Sequence, residues 1–324
     1  MKAIVQERYG SPDVLRVGEV DRPTVADREV LVRVRAASVN ARDWHVMRGD
    51  PYLARLVFGA TRPKARIRGT DFAGVVEAVG AQVQGFAAGD EVFGEAEGAF
   101  AEYVSAPEDL VASKPPSVTF EQAAALPLAG YTALQGLRDA AGVRPGQRVL
   151  INGASGGVGT FAVQIAKVLG AEVTGVCSTR NADLVQSLGA DHVVDYTRAD
   201  FAAAGVSYDV VFDLVGNRTL TDCRRALTAT GTLVLSGGGM SEGGSLVGPM
   251  GLLVKGRVVS RFARQRVQVL TATPSRESLA TLAELAASGK VVPAVDRTYG
   301  FDEGAEAIRH LEVEHARAKV VIVM

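Results

Sequence analysis

The feature that most constrains the fold is a glycine-rich turn between an apolar run and an amphipathic segment. Residues 149–151 are Val-Leu-Ile, and residues 152–159 read Asn-Gly-Ala-Ser-Gly-Gly-Val-Gly. Apolar side chains then recur at helical spacing, at Val158, Phe161, Ala162, Ile165, Ala166 and Leu169. A pattern that changes to a helical period across glycines predicts a strand, a tight turn and a helix.

Such a turn is suited to binding a phosphate group. Glycines let the backbone approach a pyrophosphate, and the first helical turn offers free N–H groups and the positive end of the helix dipole. The expected contacts are Ala154, Ser155, Gly156, Gly157 and Val158. The spacing departs from the usual G-x-G-x-x-G, so a simple strand-to-helix turn remains the alternative.

The next strand predicts which dinucleotide binds. Residues 171–177 alternate and are rich in valine, as expected of a buried parallel strand after a crossover helix. NAD sites carry an acidic residue near the end of this strand, but Ser178, Thr179 and Arg180 follow here. Hydroxyl and guanidinium groups bind a 2′-phosphate, which a carboxylate would repel. We therefore expect NADPH, held by Ser178 and Arg180. The alternative is a solvated arginine beside hydroxyls that cap the next helix.

Composition limits the class of protein. A length of 324 residues suggests about two domains, and 47% hydrophobic with 22% charged residues is typical of a soluble enzyme. A formal net charge of −1 gives no general attraction to nucleic acid or to an anionic membrane. We find no long apolar run and no signal peptide, and two cysteines suit a reducing compartment. The expected location is the cytoplasm.

The chain divides into two parts that have different sequence patterns. Through about residue 120, short valine-rich runs between Gly, Pro and Asp turns predict an all-β, barrel-like domain, with strands that include 3–5, 30–34, 74–79 and 98–104. A helix is expected after Thr119, with Gln122 completing its cap. From 148 to about 267, strands at 149–151, 172–177, 192–194, 210–215 and 232–235 alternate with helices, which predicts a parallel, doubly wound sheet.

Further predictions concern the last fifty residues of the chain and the residues at the carboxyl ends of the parallel strands. Helices are predicted at 275–289 and 302–312, and strands at 291–295 and 319–323. Ligands of parallel sheets lie beyond the carboxyl ends of the strands. Val215, Ser236 and Gly237 follow two of the predicted strands, so we expect them on the nicotinamide side of the cofactor.

Several short motifs occur in one order along the chain. They are Ser-Val-Asn-x-x-Asp at 38–43, Gly-Thr-Asp-Phe-Ala-Gly at 69–74, Gly-Asp-x-Val at 89–92, Leu-Pro-Leu-Ala-Gly-x-Thr-Ala at 126–133, Leu-Gly-Ala-Asp at 188–191 and Lys-Val-Val-Ile at 319–322. With the turn at 154–159, this series closely resembles the medium-chain dehydrogenase/reductase superfamily, in its zinc-independent quinone oxidoreductase branch.

The resemblance implies an α/β fold of two domains. Residues 1–122 and 268–324 would form a GroES-like β-barrel catalytic domain, and residues 123–267 a doubly wound Rossmann domain that binds the cofactor. It also implies a dimer or a tetramer, of which we expect a homodimer. Zinc-dependent relatives hold their catalytic metal with a cysteine, a histidine and a further cysteine or acid. The matching positions here are Asn40, Thr70 with Asp71 beside it, and about Leu128, so no metal is expected.

Without a Lewis acid to stabilise an alkoxide, hydride donation to an electrophilic carbon is favoured over alcohol oxidation. The resemblance thus implies reduction of a quinone or an α,β-unsaturated carbonyl by NADPH. Asn40 is the candidate donor to the substrate carbonyl, or else only a partner of the turn backbone. Tyr52 and Tyr131 are candidate proton donors or stacking surfaces. The positions expected near the cofactor are Thr132, Phe262 and Lys319.

Two rival functions stay open at this point. One is an enoyl-thioester reductase, whose long substrate would need a deep apolar cleft with a positive rim. The other is an NADPH-binding regulatory or RNA-binding protein with little turnover. The near-neutral net charge disfavours RNA as a partner.

Overall fold

The computed structural model describes residues 1–203, 205–236, 264–313 and 316–324. The chain divides into two compact units, one formed by Met1–Tyr131 with Pro274–Met324 and the other by Thr132–Thr273. The boundaries expected at 122/123 and 267/268 differ from these limits. The first of them moves because Tyr131 and its helix neighbour Gly130 pack on residues of the first unit. Within the described ranges, no helix is both long and apolar enough to span a bilayer.

The first unit is built mainly from antiparallel strands. Its strands are β1 (Lys2–Gln6), β2 (Leu15–Glu19), β3 (Glu29–Val39), β4 (Asp71–Val79), β5 (Glu91–Glu95), β6 (Tyr103–Pro107), β7 (Val111–Ser113), β14 (Val295–Gly300) and β15 (Lys319–Val323). A sheet in the order β14-β15-β3-β4-β5-β7 has β6 paired to β3, while β1 and β2 form a separate pair. The strand from the end of the chain, β15, thus lies directly beside the long central strand β3.

The helices of the first unit are short. They are α1 (Ala41–Arg48), α2 (Arg55–Phe58), α3 (Phe120–Ala124), α8 (Arg276–Ala287) and α9 (Gly304–Val313), and the chain passes into the second unit within α4 (Pro127–Leu134). The cap predicted for α3 is confirmed: Thr119 Oγ1 accepts a hydrogen bond from the Gln122 amide at 3.3 Å, and Gln122 Oε1 accepts from the Thr119 amide at 3.1 Å.

The second unit contains six described parallel strands, β8 (Arg148–Asn152), β9 (Glu172–Cys177), β10 (His192–Asp195), β11 (Tyr208–Asp213), β12 (Leu227–Leu235) and β13 (Arg266–Val269). Their spatial order is β10-β9-β8-β11-β12-β13. This is the order of a doubly wound dinucleotide-binding sheet, so the predicted fold class is confirmed here. The described helices are α5 (Gly157–Val168), α6 (Ala182–Ser187) and α7 (Leu220–Arg225).

The predicted bounds of two strands were wrong. The strand expected at 291–295 instead begins at Val295 and runs to Gly300. Pro293 has no N–H to donate to a ladder, which explains the late start. The strand expected at 98–104 begins only at Tyr103, because Gly98 has a left-handed φ of 87° and Ala101 forms a single bridge to Ala3.

Each unit has an apolar core of its own. In the first unit, the core cluster includes Val30, Val32 and Val34 of β3, Phe72 of β4 and Ile322 of β15. Arg33 and Arg35 alternate with the valines and are exposed, which is the period of two expected of a strand. In the second unit, the core includes Leu150, Val211 and Leu233 of three adjacent strands.

Replacing Phe72 tests the core of the first unit. Phe72 is fully buried, so Phe72→Ala is expected to lower the free energy of unfolding by about 3–5 kcal/mol. The measurement is urea unfolding followed by the fluorescence of Trp44, the sole tryptophan, which packs against the same core. Val79→Ala is the matched control, because Val79 lies at the other end of β4 and is 37% exposed. Equal losses in the two variants would contradict the assignment of the core.

Candidate active site

Asn40 stands where β3 ends and α1 begins. Its backbone N–H donates to Asp43 Oδ2 at 2.8 Å, which caps the helix. Its side-chain oxygen accepts a hydrogen bond from Lys319 Nζ, and its Nδ2 donates to Ser38 O at 3.4 Å. The Asn40 amide also hydrogen-bonds the Asp71 carboxylate, so the side chain is oriented by three partners, and two of them are charged groups.

Lys319 is the first residue of β15 and is only 2% exposed. Val320 pairs with Val39 across the sheet, which brings the Lys319 side chain to the end of β3. The ammonium also donates to Val39 O at 3.3 Å and lies 3.9 Å from Asp71 Oδ2. Burial lowers the pKa of Lys319 and raises that of Asp71, and the attraction between the two opposes both shifts.

Asp71 begins β4, directly opposite Ser38 of β3, and is fully buried. Its carboxylate accepts hydrogen bonds from Ser38 Oγ at 3.2 Å, from the Leu128 backbone N–H at 3.2 Å and from Thr70 Oγ1 at 3.4 Å. The positions that match zinc ligands in the resembling family therefore come together here. In the described ranges, no set of three or more His, Cys, Asp or Glu residues could hold a metal ion.

Tyr131 and Glu95 form a second buried pair in the same unit. The Tyr131 hydroxyl donates to Glu95 Oε2 at 2.6 Å, and Arg42 Nη1 lies 3.4 Å from Glu95 Oε1. Burial, reinforced by the charge of Asp71, raises the pKa of Glu95 to about 7. Burial also raises the pKa of Tyr131, which makes its phenol a weaker acid. The Tyr131 hydroxyl thus keeps its proton and donates a hydrogen bond to Glu95, a residue that sequence analysis missed.

Tyr52 has a different environment. It is 45% exposed at the start of a short 3-10 helix, Tyr52–Ala54, and the Arg55 guanidinium carbon lies 4.7 Å from its ring centroid. Of the two candidate proton donors, Tyr52 is therefore open to solvent, while Tyr131 belongs to a buried network.

The glycine-rich turn joins β8 to α5 in the second unit. Gly153 has a φ of 89°, and the backbone N–H groups of Gly153 and Ala154 donate to Val176 O at 3.2 and 3.0 Å. The Thr160 N–H donates to Gly156 O at 3.0 Å, the first bond of the helical ladder. The three amides before it, those of residues 157–159, have no intrahelical acceptor.

Two glycines of this turn serve different purposes. A Cβ at Gly159 would lie 2.1 Å from Gly153 O, so the fold itself requires glycine there. Among the described residues, a Cβ at Gly156 would meet only Gly153 O, at 3.4 Å, which is an ordinary contact. The described part of the chain therefore leaves open the space that a side chain at Gly156 would fill. The turn therefore fits a phosphate group approaching the free amides.

The predicted 2′-phosphate residues lie at the carboxyl end of β9. Asn181 Nδ2 donates to Ser155 Oγ at 3.0 Å, so the residues after β9 are bonded to the glycine-rich turn. Ser178 and the exposed Arg180 flank Thr179, whose hydroxyl donates to Asp195 at the end of β10. Hydrogen bonds from the Thr179 and Thr197 hydroxyls lower the pKa of Asp195. Sequence analysis missed Asn181 and Asp195.

Asp213 organises the carboxyl end of β11. Its Oδ1 accepts from Asn152 Nδ2 at 2.9 Å and from the backbone N–H groups of Val215 and Gly216 at 3.1 and 3.0 Å. Val215 is thereby held beside the turn, where a Cβ on Gly153 would lie 2.7 Å from it. The Ser236 N–H donates to Asp213 O at 3.1 Å. Val215 and Ser236 thus lie at neighbouring strand ends, as expected.

The other predicted cofactor contacts have separate positions. Thr132 lies in α4 and is 8% exposed. Gly237 and Phe262 lie outside the described residues. Lys319 belongs to the first unit, where its ammonium contacts Asn40 and Asp71, so its contact with the cofactor stays a prediction.

The pairing of Lys319 with Asp71 can be tested by unfolding. Lys319→Met leaves a buried carboxylate without its cation and is expected to cost about 3–5 kcal/mol of unfolding free energy. The double variant Lys319→Met with Asp71→Asn should lose less than the sum of the two single variants, because neither charge remains. Urea unfolding followed by Trp44 fluorescence measures all three. Simple additivity of the losses would show that the two charges do not interact.

The Glu95 environment predicts a pH dependence. Because the pKa of Glu95 is raised from 4.5 to about 7, the folded state holds this proton while the unfolded state releases it. The contribution to stability is therefore full below pH 4.5 and is lost as the pH rises toward 7. Glu95→Gln keeps an acceptor for Tyr131 and should make stability fall less steeply over this range, measured by urea unfolding at several pH values. The control Glu97→Gln alters a carboxylate that is 62% exposed, and an equal effect there would contradict the assignment to Glu95.

Known proteins are similar to this chain over almost all of its length. A family model described as "Alcohol dehydrogenase GroES-like domain" matches residues 26–116, and one described as "Zinc-binding dehydrogenase" matches residues 188–322. The "2-methylene-furan-3-one reductase" of Solanum lycopersicum is 36% identical over 99% of this chain and 79% of its own length.

Solved structures agree with these matches. The quinone oxidoreductase from Coxiella burnetii superposes with a TM-score of 0.85 at 32% identity, covering 100% of this chain and 99% of that one. The Escherichia coli quinone oxidoreductase complexed with NADPH has a TM-score of 0.85 at 27% identity, covering 100% of both chains. With the GroES-like and Rossmann-like architecture thus confirmed, the chain belongs to the medium-chain dehydrogenase/reductase superfamily, in its quinone oxidoreductase branch.

Proposed function

We propose that this protein is a zinc-independent reductase that transfers a hydride from NADPH to a quinone or an α,β-unsaturated carbonyl compound. The observation that carries the proposal is the buried cluster of Asn40, Asp71 and Lys319. The names of its relatives support it, since one reduces an enone, another is a quinone oxidoreductase and a third was solved with NADPH.

The donor set of this cluster supports chemistry without zinc. Zinc in a tetrahedral site needs thiolate, imidazole or carboxylate ligands. Here the amide oxygen of Asn40 accepts from the Lys319 ammonium, which also lies 3.9 Å from the Asp71 carboxylate. A dication at this position would be repelled by the ammonium and would compete with it for both oxygens. We infer that the lysine cation stands in place of the metal.

The second unit offers the residues that would hold the cofactor. The open turn at Ala154, Ser155, Gly156, Gly157 and Val158 suits the pyrophosphate, and Ser178 with Arg180 suits the 2′-phosphate. Val215 and Ser236 are proposed for the nicotinamide side, together with Thr132, Gly237 and Phe262. When bound, NADPH would supply the hydride.

Asn40 is proposed to bind the oxygen of the acceptor. An ammonium can only donate hydrogen bonds, so the amide oxygen of Asn40 must face Lys319 and its NH₂ group must face away. One amide hydrogen points to Ser38 O at 3.4 Å, and the amide also donates to the Asp71 carboxylate, a bond that the acceptor's oxygen would replace or share. Negative charge gained by that oxygen would be stabilised by the amide and by the lysine cation behind it.

The proton required by the product has two proposed sources. A hydroquinone oxygen can be protonated by water, so a quinone needs no dedicated residue. An enolate needs a donor, and the exposed Tyr52 exchanges its proton with solvent. Tyr131 is the weaker candidate acid because burial raises its pKa, and we assign it with Glu95 to positioning.

We also propose a homodimer in a reducing compartment, namely the cytoplasm. The homodimer rests on family membership alone. The compartment is supported by the cysteines, since Cys177 and Cys223 are both buried free thiols.

Oxidation of NADPH and NADH against a panel of acceptors tests the proposal. The panel holds 9,10-phenanthrenequinone, an enone and an enoyl thioester. Turnover with NADPH is expected for the first two, and Arg180→Glu should raise KM for NADPH about tenfold or more because a charged hydrogen bond to the 2′-phosphate is lost. The matched control is Arg148→Glu, which changes an exposed arginine at the opposite end of β8.

Several outcomes would contradict this proposal. Binding of NADPH with no acceptor reduced would favour the regulatory alternative, and preference for the thioester would favour an enoyl-thioester reductase. An equal effect of both arginine variants would remove Arg180 from the site. Zinc bound at one ion per chain would overturn the zinc-independent assignment.

A further inference from the structure

A cavity of about 210 Å³ lies in the first unit, against α1, α2 and the segment before β4. Its charged lining consists of Arg42, Asp43, Lys64, Arg68 and Glu97. Thr70 also lines the cavity, and its hydroxyl donates to Asp71 of the buried cluster. The cavity therefore adjoins the proposed site of reduction.

Positive charge exceeds negative charge in this lining. Three cations face two carboxylates, and both carboxylates are already engaged. Asp43 accepts from the Asn40 backbone, and burial raises its pKa to about 7. Glu97 pairs with Arg42. Lys64 and Arg68 are thus left facing Asp43 alone, whose charge acts on Arg68, so positive charge is in excess in the lining.

The guanidinium group of Arg68 has a buried donor without an acceptor in the described part of the chain. The residue is only 4% exposed, and one terminal nitrogen donates to Ala65 O. Its Nε is buried without a hydrogen-bond partner in the described part of the chain. A buried N–H without an acceptor is costly, so the hydrogen-bonding capacity of the Arg68 guanidinium is not fully used.

The local sequence reinforces this charge. Residues 51–70 contain five cations, Arg55, Arg62, Lys64, Arg66 and Arg68, and no Asp or Glu, in a chain whose net charge is −1. Lys64 is exposed, and within the described ranges its ammonium has no ion pair or hydrogen bond. A wall of one sign beside a concave site raises the local concentration of ligands of the opposite sign.

The remaining lining is apolar. Val46, Val57 and Phe58 border the cavity, and Val57 is 67% exposed. A wall of this kind suits a hydrocarbon body, while the cations suit a carboxylate, sulfonate or phosphate group.

We infer that the physiological acceptor is an apolar quinone or enone bearing an anionic group, and that Lys64 and Arg68 bind this group in the cavity. The inference rests on the proposed function and deepens it, because it names the charge of the substrate. Lys64 is here a specificity-determining residue, and its contribution is expected in KM.

The test compares two acceptors of matched reactivity, 3-(1,4-naphthoquinon-2-yl)propanoate and its methyl ester. The saturated spacer keeps the charge from altering the ring, so kcat/KM with NADPH reports the binding of the anion. The wild-type protein should prefer the carboxylate at least threefold. Lys64→Glu should lower kcat/KM for the carboxylate about threefold to tenfold and leave the ester within about twofold.

Arg62→Glu is the matched control. It makes the same charge change two residues away, at an exposed position that does not line the cavity. Equal use of the carboxylate and the ester by the wild type would overturn the inference. So would an equal loss in both variants, which would show a general field rather than a site. Both results leave the proposed function intact.

Failure of the proposed function would be recognised separately, because neither these acceptors nor 9,10-phenanthrenequinone would then be reduced. The cavity is in that case tested by titrating Trp44 fluorescence with cyclohexanecarboxylate and with its neutral amide. Trp44 adjoins the cavity residue Asp43 along α1. Preference for the carboxylate that is lost in Lys64→Glu supports the site, and equal or absent binding overturns it.

Discussion

The interaction on which the proposed active site depends is a buried ammonium group surrounded by oxygen atoms. Lys319 is almost completely removed from water, and it lies among Val39 O, the amide oxygen of Asn40 and the carboxylate of Asp71. An isolated buried charge is strongly unfavourable, so each of these partners must be present for the others to be tolerated. The cation also fixes which end of the Asn40 amide is a donor, and the proposed chemistry uses that donor.

The sheet of the first unit is what makes this cluster possible. Asn40 follows β3, Asp71 begins β4 and Lys319 begins β15, and both β4 and β15 pair with β3. Three short motifs from distant parts of the chain therefore meet at the carboxyl end of β3. The Rossmann-like unit uses the same principle, since its glycine-rich turn and Asp213 both lie at the carboxyl ends of parallel strands that are neighbours in the sheet.

Local patterns in the sequence were sufficient for most of the fold but for less of the site. Alternating valines predicted the central strands, and Thr119 with Gln122 predicted a helix start, because these signals depend on near neighbours. The bond from Lys319 to Asn40 joins residues 279 positions apart, and the Tyr131–Glu95 bond spans 36. Such pairs follow from sheet order and register, which single-sequence periodicity does not encode. The strand predicted to begin before Pro293 was misplaced for the same reason, since apolar residues alone do not reveal which backbone N–H and C=O groups are paired.

The hydrogen bond from Asn181 to Ser155 has a consequence for how the two proposed phosphate-binding regions would act together. It joins the segment that follows β9 to the turn that follows β8. A dinucleotide bound at the proposed site that ordered one of these segments would therefore help to order the other, and the conformational entropy lost at the second would be smaller. Discrimination between the two nicotinamide dinucleotides would then be a cooperative property of both loops, in which Arg180 is one contributor among several.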